Sequence, residues 1–358
     1  MRRLEIVEAV DAGSRAIKAR GIDPEIFNVA ARSPRAGRVL LPEASGPPQV
    51  IALDLPPLRD ESEPPLQYFA VHASPWPGGV AVWRSADGES YERIALAQLC
   101  ATVGVTLDPL PAGPVARWDH ANSFRVKLAS GALASMSDLR VLGGANAAAV
   151  RNPDGGWEVI QFAQAELVAA NTYRLSRLLR GQQGSDAAML HEHESGADFV
   201  LLNEALVPVS RAVGELGLSF RYRVGPSSQD VGSTLMTEMQ AAIGASALLP
   251  WRPVHAVARR DEDGVLLSWI RRSRIGGDSW DAAEVPLGEA EERYRLDILG
   301  GTDTLRTLEA GAPHVLYAAA DEIADFGAAQ ASLSIRLAQL SAVAGPGHAL
   351  RVTLPVES

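Results

Sequence analysis

A short cluster of histidines and glutamates is the part of this sequence closest to a chemical site. Residues 191–194 read HEHE, and histidine and glutamate side chains both ligate zinc. A zinc protease helix spaces its two histidines four residues apart, so that both point one way with the glutamate between them. His191 and His193 are two apart, which on a helix separates them by about 200°. On a strand they would share a face, but no third ligand is evident. We predict a solvated loop here and no metal site.

Three further motifs are incomplete versions of functional patterns. Residues 244–247 (GASA) lack the second glycine of a nucleophile elbow, which favours an apolar packing segment. Residues 261–264 (DEDG) have too few ligands for a calcium loop and indicate an acidic hairpin turn. Residues 142–145 (LGGA) lack the third glycine and the βαβ context of a phosphate-binding turn. We therefore predict no catalytic residue and no cofactor, and expect that the protein is not an enzyme.

Tryptophans in loops are the remaining binding candidates. Trp76, Trp83 and Trp280 lie in or near predicted loops, where an indole face can stack on a sugar ring. Of these, Trp76 and Trp280 are our candidate glycan-stacking residues, whereas Trp157 and Trp269 are expected in the core. The alternative function that follows is a carbohydrate-binding or carbohydrate-cleaving surface protein. A catalytic carboxylate pair contributed by distant strands stays open at this point.

The composition predicts a globular, turn-rich protein. The chain has 358 residues, of which 47% are hydrophobic and 21% charged, enough for two or three domains with ordinary cores. Its 32 glycines and 23 prolines favour short elements joined by turns. Lys and Arg total 33 against 43 Asp and Glu, a net charge of −10. This acidic balance argues against a general or sequence-specific nucleic-acid binder.

Cysteine usage and hydropathy define the expected cellular context. The single cysteine, Cys100, excludes an intramolecular disulfide and is expected to be a small buried hydrophobe. Glu5 and Glu8 occupy positions where a signal peptide requires an apolar segment. Apolar runs do not approach the roughly 18 residues of a membrane span. The sequence therefore predicts a soluble protein synthesised in the bacterial cytoplasm, with no membrane span.

Alternating apolar residues between Gly and Pro turns predict a mainly β protein in three parts. Residues 1–46 are predicted to form an N-terminal β-hairpin and linker, and residues 47–248 an antiparallel β-rich domain. Residues 249–358 are expected to form a fibronectin type III-like β-sandwich, with Trp269 as its inner tryptophan and an insertion-like stretch at 321–327. Strands are predicted at 50–55, 67–73, 80–84, 91–97, 124–128, 157–162, 173–179, 199–202 and 218–224.

The central stretch also resembles a known family. Residues 156–162 (GWEVIQF), 172–176 (TYRLS) and 178–182 (LLRGQ) resemble the C-terminal region of the large tail-tip ("megatron") proteins of gene transfer agents and related siphophages. Those proteins form the trimeric baseplate hub that plugs the tail tube and contacts the host surface. The resemblance implies a structural component of a phage-like tail tip, located in the particle, that takes part in host-surface attachment and DNA delivery.

The same resemblance implies binding partners, and it also includes one domain that we do not expect in this chain. Expected partners are two further copies in a homotrimer, the distal tail protein and hub, and a host cell-surface glycan or receptor. The N-terminal hairpin would close an upstream hub domain. The family also carries a glycosidase-like TIM barrel upstream of the matched region. Because this chain shows no repeated βα pattern, that barrel and its activity are not expected here.

Overall fold

The structure is a computed structural model that describes residues 3–11, 15–22, 46–58, 66–276 and 285–357. Regular structure in these residues is predominantly antiparallel β, which confirms the predicted fold class. The predicted linker falls largely outside the described residues. In chain order the strands are β1 Arg3–Asp11, β2 Arg15–Ile22, β3 Gln49–Leu53, β4 Gln67–His72, β5 Val80–Ser85, β6 Glu92–Ala97, β7 Val103–Thr106, β8 Trp118–Leu128, β9 Ala147–Arg151, β10 Trp157–Ala169, β11 Thr172–Gln182, β12 Asp198–Leu201, β13 Val207–Val209, β14 Ser219–Pro226, β15 Thr237–Ala242, β16 Val254–Arg260, β17 Gly264–Ile270, β18 Tyr294–Gly300, β19 Asp303–Ala310, β20 His314–Ala318, β21 Ser332–Ser341, β22 Gly345–Pro346 and β23 Leu350–Glu357.

Helices are short and few in the described parts of the chain. They comprise α1 Asp138–Leu142, α2 Ala319–Phe326 and the 3₁₀ helices Ser185–Leu190 and Val213–Glu215. The insertion-like stretch at 321–327 corresponds to α2, which ends at Gly327 in the left-handed conformation, with φ 79°. Across the described residues, every helix is too short or too polar to cross a lipid bilayer.

The N-terminal residues form a hairpin, as predicted. Residues 1–44 make one compact unit and residues 45–358 a second. Within the first unit, β1 and β2 pair antiparallel from Arg3↔Ile22 to Asp11↔Arg15. The register shifts between Ile6 and Glu8, which marks a β-bulge.

The centre of the second unit is a closed barrel of six antiparallel strands, in the order β10-β11-β8-β7-β12-β9. Side chains that alternate along the strands fill its interior and are at most 1% exposed. They include Phe124, Ile160, Phe162, Leu175 and Phe199. Closure leaves the barrel without a free sheet edge. The sequence predicted antiparallel strands in this region, but it predicted neither β7 nor β9 and gave no indication of closure.

Two further sheets stack on the barrel, with the orders β13-β4-β3 and β15-β14-β5-β6. The strand β4 is buried at all six positions, since each of its faces meets a different layer. Tyr68 and Ala70 pack in a cluster with Trp157 on the outer face of the barrel. Phe69 and Val71 pack in the cluster between the two sheets. A strand covered on both faces reads as a continuous apolar run, which explains the sequence of β4.

The C-terminal residues form the predicted fibronectin type III-like sandwich. One sheet has the order β19-β18-β21-β23 and the other β16-β17-β20, and β23 joins them by pairing parallel with β16. Trp269 on β17 is 5% exposed and meets the ring of Tyr294 edge-on, with centroids 5.0 Å apart. Its burial matches the predicted role of an inner tryptophan.

A specific contact joins the barrel to the sandwich. Gly184, which follows β11, has φ 76°, and a Cβ atom there would lie 2.4 Å from Trp251. The buried carboxylate of Asp186 pairs with Arg252 and, at 3.0 Å, with Arg272. The Arg272 guanidinium also lies 5.1 Å from the Trp251 ring centroid. This stretch of the barrel therefore has no room for a side chain at residue 184.

Two substitutions on β10 test the inside-outside pattern of the barrel. Ile160 is fully buried, and Leu167 on the same strand is 62% exposed. Ile160→Ala is expected to lower the free energy of unfolding by about 2–5 kcal/mol, because it leaves a cavity in the barrel. Leu167→Ala is expected to change it by less than about 0.5 kcal/mol. Chemical denaturation of the full chain checks both, and equal losses would contradict the barrel.

Candidate functional site

The two histidines of the HEHE cluster point to different environments. His191 is exposed, and its Nδ1 atom lies 2.9 Å from Asp154 Oδ2. His193 is fully buried inside the barrel region. The prediction of a solvated loop is therefore right for His191 and wrong for His193, because the backbone of His193 bridges to Leu110 and carries the side chain inward. Among the described residues, groups of three His, Cys, Asp or Glu arranged to hold a metal ion are absent.

His193 belongs to a buried charge network, which we define as Asp119, Glu158, Arg180 and His193. Each of these residues is at most 1% exposed. Glu158 Oε1 accepts hydrogen bonds from Arg180 Nε at 2.7 Å and from the Gly181 N–H at 2.9 Å. Glu158 Oε2 accepts from Arg180 Nη2 at 2.8 Å and contacts His193 Nε2 at 2.6 Å. All four acceptor positions of the carboxylate are thus occupied.

Charged groups of both signs meet in this network. His193 Nδ1 lies 3.0 Å from the Arg151 carbonyl oxygen, so both ring nitrogens face acceptor oxygens. Arg180 Nη1 donates to the Pro111 carbonyl at 2.8 Å and lies 3.5 Å from Asp119 Oδ2. The buried Arg180 guanidinium therefore lies between two carboxylates, since a buried charge requires partners of opposite sign.

The network is closed to solvent, and this determines whether its side chains can take part in catalysis. Burial alone would raise the pKa of Glu158, but hydrogen bonds from His193 and Arg180, together with their charges, hold that pKa below its ordinary value. The carboxylate therefore stays ionised and fully hydrogen-bonded. A catalytic acid or base has to reach a substrate, and none of these four side chains is accessible to one. The network is a structural cross-link of β10, β11 and the loop that carries His193.

The sequence analysis did not predict this network, although the position of Glu158 on β10 indicates it. Glu158 alternates in register with Ile160 and Phe162 on β10, so it must point into the barrel with them. A charged residue at an inward position predicts a buried partner. The partner Arg180 was hidden by the irregular register of β11 between Ser176 and Leu178, where Arg177 has φ 55°.

The incomplete motifs take structural roles. Ser246 donates to Asp54 Oδ2 at 2.8 Å and its backbone N–H to Oδ1 at 3.0 Å, while burial raises the pKa of Asp54. Asp261 Oδ1 accepts from the backbone N–H groups of Asp263 and Gly264, which confirms the acidic hairpin turn. Cys100 is only partly buried, contrary to our expectation, and its Sγ lies 3.2 Å from Nδ1 of the buried His72.

The tryptophan candidates are not brought together among the described residues. Trp76 packs against the cluster between the two stacked sheets, and its Nε1 atom is buried without a hydrogen-bond partner there. Trp83 lies within β5, not in a loop, because the strand continues to Ser85. Trp280 lies outside the described residues. Glycan stacking by Trp76 and Trp280 stays a prediction.

Two recesses in the described part of the chain adjoin the end of β11. One cavity has a volume of about 620 Å³ and the other about 550 Å³, and both are lined by Leu58, Gln182 and Gln183. The first extends to Trp251 at the joint with the sandwich, and the second to Asn203. We call the two together the junction cleft. Cavities of this size hold small organic ligands.

Comparison with known proteins gives one family match. A family model described as Rcc01698-like, C-terminal, matches residues 101–200, and the name of this family is associated with gene transfer agents. The match begins just before β7 and ends within β12, so it covers the barrel strands almost completely. It covers less than half of the chain.

The other comparisons add little. A search of curated proteins gives no match. Among solved structures, the FN1-FN3 domains of chicken CNTN1 match with 8% identity and a TM-score of 0.21, covering 88% of this chain and 100% of that chain. The assignment of the sandwich therefore rests on its strand order and on Trp269.

Replacement of Arg180 tests the buried network. Arg180→Met is expected to lower the free energy of unfolding by about 3–5 kcal/mol, because it leaves Glu158 buried without its main partner. A matched control lies on the same strand: Arg174 pairs with Glu166 at 3.2 Å, and both side chains are at least half exposed. Arg174→Met is expected to cost less than about 1 kcal/mol. Similar losses for both variants, measured by chemical denaturation, would show that the network is not a major cross-link.

The pH dependence of stability isolates Glu158. Since its pKa is depressed in the folded state, Glu158 stabilises the fold above its unfolded pKa of about 4.3, and this contribution is lost as the pH falls through the folded value. The stability difference between wild type and Glu158→Gln should therefore be largest near neutral pH and should narrow in acid. Denaturation series at several pH values measure it, with Glu166→Gln as the exposed control. A pH-independent difference would refute the assignment.

Proposed function

We propose that this chain is a structural component of a phage-like tail tip, of the gene transfer agent type, that acts in host-surface attachment and DNA delivery. The observation that carries the proposal is the match of the barrel, residues 101–200, to a family whose name is associated with gene transfer agents. The resemblance in residues 156–182 lies within this matched segment, on β10 and β11.

The architecture suits a scaffold. A closed barrel, two stacked sheets and a terminal sandwich give rigid modules that present loops from their ends. The charge network is sealed inside the barrel, so its acid and base groups cross-link strands and do not meet solvent. These features support a non-enzymatic role, and we propose that the protein does no bond-making or bond-breaking chemistry.

The proposed assembly is a homotrimer around the tail axis, with the distal tail protein and the hub as neighbours. The hairpin of β1 and β2 supports this assembly. Each of these strands pairs only with the other among the described residues, so the hairpin offers two strand edges. A two-stranded ribbon is marginal in water, and its edges favour pairing with another chain.

Purified particles that carry a tagged form of the chain test the proposed function. If the chain is tagged at its chromosomal locus and particles are purified by density and by protection of their DNA from nuclease, the tagged chain should sediment with protected DNA. Gold-labelled antibody should mark one end of the tail, and quantitative mass spectrometry should give about three copies per particle, as a hub of cyclic symmetry requires.

Two outcomes would count against this proposal. If the chain is absent from purified particles, or if deletion of its gene leaves DNA delivery unchanged, the tail-tip role fails. If the chain is present but in a copy number that is not a multiple of three, the trimer fails while the particle role stands.

A further inference from the structure

The junction cleft is lined by side-chain amides with unused hydrogen-bonding capacity. Gln182 Nε2 donates to the Arg180 carbonyl at 2.9 Å, and its Oε1 atom has no partner among the described residues. Asn203 accepts from the Ala205 N–H at 3.1 Å through Oδ1, and its Nδ2 group makes no hydrogen bond to the residues that the structure describes. Gln183 is exposed, and within the described chain its amide makes no hydrogen bond. The cleft thus offers both donors and acceptors to a ligand.

An aromatic ring completes one end of the cleft. Trp251 lines the larger cavity, and its Nε1 atom is buried without a hydrogen-bond partner in the described residues. Apolar indole surface beside several amides is a combination that recognises sugar rings, which present C–H faces and hydroxyl groups.

The charges around the cleft favour a neutral ligand. Three arginines line the larger cavity, but each is matched by a carboxylate. Arg272 pairs with Asp186 at 3.0 Å, Arg274 with Glu289 at 3.2 Å, and Arg271 lies 4.0 Å from Glu292. A phosphate or sulfate would therefore compete with existing ion pairs instead of meeting a free cation.

The backbone turn that carries Gln182 and Gln183 is held by its surroundings. Gln183 has φ 54°, a left-handed backbone conformation that costs energy for a non-glycine residue and must be held by its surroundings. Two contacts hold this turn: Glu158 accepts the Gly181 N–H at 2.9 Å, and Ser185 Oγ donates to the Gln182 carbonyl at 2.7 Å. Preorganised polar groups on a rigid turn are what a binding site requires.

We propose that the junction cleft binds a neutral oligosaccharide, with Gln182, Gln183 and Asn203 donating and accepting hydrogen bonds at its hydroxyl groups and Trp251 packing against a ring. This site is distinct from the loop of Trp76, where the indole packs into the core. It stands whether or not the chain belongs to a tail tip, because it rests on the cleft alone.

A glycan array tests the proposal directly. The full chain is applied to an array of neutral oligosaccharides of two to six sugars, built from glucose, galactose, mannose and N-acetylglucosamine, together with sulfated and sialylated glycans. At least one neutral oligosaccharide should bind, and calorimetry of that compound gives its affinity. Gln183→Ala and Asn203→Ala should each weaken this affinity about tenfold or more, since each removes a hydrogen bond from a site built to make it.

Matched controls keep the test decisive. Gln240 is an exposed glutamine on β15 that donates to Ser219 Oγ at 3.0 Å, so Gln240→Ala removes an amide outside the cleft and should leave the affinity unchanged. Thermal unfolding of each variant should match that of the wild type. The proposal is overturned if no neutral oligosaccharide binds, if only the anionic glycans bind, or if the cleft variants bind as the wild type does. Particle localisation is measured separately, so the two proposals can fail independently.

Discussion

The buried charge network inside the barrel is the constraint on which the rest of the second unit depends. Glu158 is a carboxylate with 0% exposure, and it can remain ionised there only because Arg180, His193 and the Gly181 N–H all donate to it. These bonds tie β10 to β11 and to the loop after the 3₁₀ helix. They also fix the turn after β11, which packs Gly184 against Trp251 and so sets the joint with the sandwich.

Strands could be predicted from the sequence where one pattern, the alternation of apolar and polar residues, governs a whole segment. A strand with clean alternation, such as β14, could be predicted because it has one covered face. β7 and β9 could not: Gly104 interrupts one, and the alanines of the other carry little periodic signal. Barrel closure depends on pairings between strands far apart in the chain, such as β7 with β12 and β8 with β11, so no local pattern reveals it.

The candidate site could be predicted only in part, for a related reason. The sequence analysis treated His193 as a surface residue because its neighbours are polar. Its burial follows from a tertiary bridge to Leu110, which local sequence does not encode. The junction cleft likewise combines residues from the end of β11, the loop after β12 and the start of the sandwich. Loop tryptophans were the visible signal for glycan binding, whereas the amides that line the cleft belong to no motif.

Native-state hydrogen exchange at the Gly181 amide tests the central claim most directly. This N–H donates to Glu158 inside the barrel, so its exchange should require the whole barrel to open. The account predicts that the free energy of opening at Gly181 equals the free energy of barrel unfolding from chemical denaturation, within about 1 kcal/mol. Exchange through a local opening of much lower free energy would contradict it, because the buried network would then not hold the barrel and its turn together.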